Sequence, residues 1–162
     1  MTASLTSLTS PSASLCFHAR NVPSISIESY LLRILRYCPT TNEVFLSLLV
    51  YFDRMAKIGA EVEMEMAKND PRGKDAPSVA ERRPFAVDSF NVHRLVIAGV
   101  TVASKFFSDV FYTNSRYAKV GGLPLTELNQ LEVHFLLLND FRLTIPVEEM
   151  QRYADQLLVH WA

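Results

Sequence analysis

Apolar residues recur at three- and four-residue spacing in five stretches of the chain, and no stretch alternates apolar with polar over the length of a strand. The most apolar stretch runs from Asn91 to Asp109. There Leu95, Val96, Ile97, Val100, Val102, Phe106 and Phe107 fall on nearly every side of a helix of about five turns. A helix without a polar face must be wrapped by its neighbours. Ala98, Gly99, Ala103 and Ser104 are small and let those neighbours come close. Gly99 costs about 1 kcal/mol relative to alanine inside a helix, so close packing is its expected reason.

Four further helices are expected around this one. The first carries Ile27, Leu31, Ile34, Leu35 and Cys38 on one stripe, with Ser24 or Ser26 to cap it and Pro39 to stop it. The second follows Thr40-Thr41, buries Val44, Leu48, Tyr51, Phe52 and Met55, and fades near Ile58-Gly59. Residues 110–122 read as a short turn or a poor helix ended by Gly121-Gly122. The next main helix starts near Pro124, uses Leu128, Leu131, Phe135 and Leu138, and ends at Asn139-Asp140. The last starts at Pro146 and carries Met150, Tyr153, Leu157, Leu158 and Trp161. The expected fold is all-α: five helices, one of them central.

Two segments fall outside this pattern. Residues 1–20 are rich in Ser and Thr and read as a disordered tail, which leaves a domain at 21–162. Residues 59–84 carry mixed charge and prolines at 71, 77 and 84. They read as a long exposed loop, with helix continuing as far as Ala67 as the alternative for its first part.

Composition narrows the function classes. A chain of 162 residues makes one domain that buries about 70% of its unfolded surface. Its net charge of −1 draws it to neither nucleic acid nor an anionic membrane. Its apolar runs reach about nine residues where a bilayer needs about 20. Two cysteines, Cys16 and Cys38, make no disulfide framework, which places the chain in a reducing, intracellular compartment. His18, His93, His134 and His160 show no zinc-ligand spacing and read as surface or capping residues. Cys16 and His18 fall in the tail, and Cys38 lies on an apolar stripe and reads as core. Glu61, Glu63 and Glu65 cannot share one helical face. Arg33 with Arg36, and Arg82 with Arg83, are too sparse for a basic stripe. No catalytic constellation and no cofactor follow from these residues.

Lys105 and Glu132 remain. Each interrupts an apolar helix beside bulky residues, Lys105 before Phe106-Phe107 and Glu132 between Leu131 and Val133. Either each lies on the solvent edge of its helix, or both flank an apolar patch and hold a partner's backbone. In the second case lysine supplies donors and glutamate acceptors, while Phe106 or Phe141 supplies buried contact.

Five phrases carry a family resemblance. LVIAGVTVASKFFSD, ending in A-S-K-F, resembles the third helix of a cyclin box. NEVFLSLLVYFDRM resembles the second helix, with Asp53-Arg54 as its D-R pair. LTELNQLEVHFLLLNDFRL resembles the helix that carries the family's glutamate. RILRYCPTTNEVF and YTNSRYAKVGG are most similar to the phosphate-regulatory cyclins of fungi and the P/U-type cyclins of plants and protists. The resemblance covers about residues 17–160. It implies a non-catalytic regulatory subunit, monomeric alone, for a cyclin-dependent protein kinase of the phosphate-regulatory type, in the cytoplasm or nucleus. It implies that Lys105 and Glu132 anchor the kinase's movable small-lobe helix, with Phe106 and Phe141 as apolar contacts. The alternative is a kinase-independent scaffold of the same fold that binds peptides or transcription machinery. In most cyclin boxes the aspartate matching Asp53 pairs with an arginine early in the first helix. Here that region is Ser24 to Ser26, so the family's internal ion pair lacks its usual partner.

Overall fold

The computed structural model describes residues 16–68 and 85–161. Among these residues there are six helices and no strand: α1 (Ile27–Tyr37), α2 (Asn42–Lys68), α3 (Val92–Phe107), α4 (Asn114–Gly121), α5 (Leu125–Leu138) and α6 (Val147–Trp161). As the pattern requires, α3 is the axle. It is buried at His93 and continuously from Leu95 to Ser104. It packs against α1, α2, α4 and α5, while α6 lies against α2. Gly99 is where α2 and α5 close on it. A Cβ there would collide with Leu48 Cδ2 and press on the Phe135 ring at 3.2 and 3.3 Å. Close approach therefore outweighs the lost helix propensity.

Local signals set most helix ends. Ser26 caps α1, its hydroxyl accepting from the Ser29 amide at 3.2 Å. Gly122 ends α4 in the left-handed region (φ 73°), where glycine carries no Cβ penalty. The Gly122 amide then reaches Lys119 O and the Leu123 amide reaches Ala118 O, closing a Schellman motif.

The structure amends the pattern-based reading in four places. Residues 114–121, read as a turn or poor helix, form α4. Thr113 caps it through the Arg116 amide, Tyr117 and Ala118 are buried, and the Arg116 guanidinium donates to Tyr37 O. The second helix does not fade at Gly59 but follows the alternative reading and runs one residue past Ala67, to Lys68. Gly59 faces Phe85 where the chain returns, and a Cβ added there would make ordinary contact at 3.4 Å. The rest of the expected loop, residues 69–84, lies outside the described residues, as do residues 1–15 of the expected tail. His93 is buried, with Nε2 2.8 Å from Ile25 O and its ring edge-on to Tyr30.

Residues 16–20 are not tail. Phe17 is fully buried in the core, edge-on to Phe135. The Ala19 amide donates to Phe90 O at 2.9 Å and His18 stacks on the Phe90 ring. Cys16 Sγ lies 3.9 Å from His134 Nε2, and Arg94, itself paired with Glu127, donates to Cys16 O. One aromatic side chain among polar residues gives no periodicity, which is why the pattern missed it.

Candidate functional site

Lys105 stands in the last turn of α3, where a cation complements the helix dipole. Glu132 stands midway along α5. The packing of α3 on α5 brings them together, with Lys105 Nζ donating to Glu132 Oε1 at 2.7 Å. The side chains are 34% and 17% exposed, so the pair is neither loose on the surface nor sealed in the core. Exposed pairs of this kind contribute only ~0–1 kcal/mol to stability, so the interest of this one lies in its geometry.

The second carboxylate oxygen is also held. Asn114, the first residue of α4, donates from Nδ2 to Glu132 Oε2 at 2.7 Å and to Asn129 Oδ1 at 2.8 Å. Three helices thus converge on one carboxylate. Lys105 has three donors and uses one here, and Glu132 has about four lone-pair directions and uses two. The pair keeps both donor and acceptor capacity on its solvent side.

The aromatic residues flank this cluster in the chain. Phe106 follows Lys105 directly, is 47% exposed, and sits edge-on to Phe107, which packs on the core. Phe141 lies just beyond α5 and is 59% exposed. Its backbone is left-handed (φ 54°), as is that of Asp140 (φ 53°). The Asp140 amide reaches Leu137 O at 2.9 Å and the Phe141 amide reaches Leu136 O at 2.8 Å. This is a Schellman motif with Asp140 at the position where glycine is usual, followed by a second left-handed residue, Phe141.

Asp53 lies elsewhere, between α2 and α6. Its Oδ2 accepts from the Tyr153 hydroxyl at 2.6 Å. Burial pushes Tyr153 up to about 12, and the bond to Asp53 with the charges of Asp53 and Glu149 adds to this. Arg54 beside it donates to the carbonyls of Arg142 and Thr144 and pairs with Glu149 at 3.2 Å. Asp53 and Arg54 together fasten the segment after α5 and the start of α6 to α2.

The family model for cyclins matches residues 2–143. The chain belongs to the cyclin family. It is 52% identical over 147 residues to PHO85 cyclin-7 of Saccharomyces cerevisiae, covering 91% of this chain and 47% of that protein. It is 52% identical over 158 residues to PHO85 cyclin-like protein psl1 of Schizosaccharomyces pombe, covering 96% and 54%. Cyclin-U4-1 of Arabidopsis thaliana is 35% identical over 142 residues, covering 87% and 58%. The chain thus spans about half the length of the curated relatives it matches.

Within this cyclin box the structure brings together Lys105 and Glu132, places Phe106 and Phe141 in exposed positions, and sets Asp53 apart as an internal fastening. The bond that Asp53 accepts comes from Tyr153 of α6 instead of from an arginine of the first helix. Sequence reasoning missed Asn114 and Asn129. A signal existed for Asn129: it is three residues before Glu132 on α5, so the two share a face.

Proposed function

We propose that this cyclin is a regulatory, non-catalytic subunit of a cyclin-dependent protein kinase, and that Lys105 and Glu132 grip the main chain at the kinase's movable small-lobe helix. The observation that carries this reading is the Lys105–Glu132 pair at 2.7 Å, set at the end of the buried axle beside the exposed Phe106. A helix C-terminus offers orphan carbonyls to a lysine, and a helix N-terminus or an adjoining loop offers free amides to a glutamate, so a helix with its flanking loop can use both groups. Phe106 and Phe141 add desolvated aromatic contact, which supplies most of the energy in such interfaces. The mechanism is population shift. The cyclin binds the kinase conformer with its active-site ion pair assembled, and binding enriches that conformer.

The names of two relatives, both PHO85 cyclins, favour a kinase of the phosphate-regulatory type. Among the described residues no helix is long and apolar enough to cross a membrane. We place the protein inside the cell, in cytoplasm or nucleus, monomeric until it meets the kinase, with no nucleic acid or membrane partner. Replacing both members of the pair, Lys105→Ala with Glu132→Ala, leaves net charge unchanged. Kinase binding and activation are expected to fall about 100-fold or more, with the circular dichroism spectrum preserved. Undiminished activation by the double variant would remove these residues from the docking site. Recovery of transcription machinery instead of a kinase in a pull-down would favour the scaffold reading.

A further inference from the structure

We propose that Asn114 is a positioning residue: it fixes the Glu132 carboxylate so that Lys105 and Glu132 meet the kinase as one preassembled pair. The inference rests on the docking reading above and adds what keeps that site in register.

The carboxamide of Asn114 has two N–H donors and spends both, one on Asn129 Oδ1 at 2.8 Å and one on Glu132 Oε2 at 2.7 Å. The amide orientation follows from its partners. A flipped group would set its oxygen against a carboxylate and a second carbonyl oxygen, with no proton between them. Glu132 must freeze three side-chain torsions before its acceptors have a direction. Lys105 alone is a poor brace, because its own four-carbon stem is mobile. Asn114 is a better one, since it is short and belongs to the first turn of α4. That turn is capped by Thr113 and tied to α1 through the Arg116 guanidinium on Tyr37 O. With Oε2 held from α4 and Oε1 from α3, the carboxylate plane is set before a partner arrives. Ordering the side chain in advance lowers the entropy lost on binding.

The test is a double-mutant cycle on kinase affinity with Asn114→Ala and Glu132→Ala, read beside a measurement on the free cyclin. In the wild-type background Asn114→Ala is expected to weaken binding about tenfold, and in the Glu132→Ala background less than about twofold. A residue that merely supported α4 would cost the same factor in both backgrounds, and that result would overturn the proposal. Asn114→Asp, which sets one carboxylate against another, is expected to bind more weakly than Asn114→Ala; tighter binding counts against it. In the free protein, NMR scalar couplings are expected to show one Glu132 rotamer in the wild type and averaged rotamers in Asn114→Ala. Unchanged couplings overturn the positioning role whatever the kinase does. A wild-type chain that shows the fixed rotamer yet binds no kinase overturns the docking reading and leaves the brace standing.

Discussion

Tyr30 is buried between α1 and α3, and its hydroxyl donates to Gly121 O at 3.0 Å. Burial pushes its ionisation up to about 12, against the opposing charges of Arg33 and Arg94. Above pH 10 an unfolded tyrosine loses its proton while this one keeps it. The folded state then binds more protons and stability falls with rising pH. Tyr30 contributes on the order of 2–3 kcal/mol that is present below pH 10 and gone above pH 12. Tyr51, Tyr117 and Tyr153 are displaced the same way by burial, so the decisive measurement is a difference. Tyr30→Phe is expected to cost about 1 kcal/mol at neutral pH through the lost bond, and to flatten urea-determined stability between pH 10 and 12 by one proton. Parallel curves would deny Tyr30 this role. Single residues differ in legibility for a related reason. Lys105 and Glu132 stood out in the sequence because a charge interrupting an apolar helix breaks a pattern, while the docking role came from the family resemblance. Asn114 could not, because a polar residue after a capping threonine breaks none, and its work depends on two helices that meet it only in the fold.

At the level of elements, α5 ends in two left-handed residues. Phe141 sits at a positive φ that costs a non-glycine residue roughly 1–2 kcal/mol. The ring gains little burial in exchange, being 59% exposed. Residues held in such conformations cluster where function needs them. Phe141→Gly is therefore expected to keep or raise the stability read from urea unfolding, by up to about 1 kcal/mol, while lowering kinase affinity; urea denaturation beside a binding titration separates the two effects. A variant less stable and equally tight would show that the ring serves the fold and not the partner. The neighbouring element was the hardest to read. Eight residues of α4 are too few to nucleate on their own. The helix exists because Tyr117 and Ala118 find a core and Arg116 finds Tyr37 O. Helix α1 with its apolar stripe, α3 with its apolar length and α5 with its spaced leucines needed no such help and were legible from spacing alone.

Over the whole molecule, Phe135 of α5 is the point where separate parts of the chain meet. Tyr51 and Phe52 of α2 and Phe17 all set ring edges toward it, and Gly99 of α3 makes room for it. Three of these belong to helices whose stripes predicted their burial. Phe17 belongs to a segment whose composition spoke for disorder, because the rule that reads low hydrophobicity as disorder averages over a window and loses one large anchor in it. The segment also covers α3, with Ala19 bonded to Phe90 O and Arg94 bonded to Cys16 O. Phe17 should then act as a staple that closes the core from the N-terminal side. Phe17→Ala is expected to lower stability by about 3–5 kcal/mol, and removing residues 1–20 to lower it by a similar amount, since Phe17 is the one fully buried residue among 16–20. Urea unfolding of both variants checks this. Equal losses identify the ring as the staple, and a truncation that costs nothing would return residues 16–20 to the tail. Lys105 and Glu132 lie on α3 and α5, whose mutual packing passes through Phe135 and Gly99. Phe17→Ala should therefore leave kinase affinity intact at low temperature, where the chain is folded, and lose it on warming in step with the loss of helix.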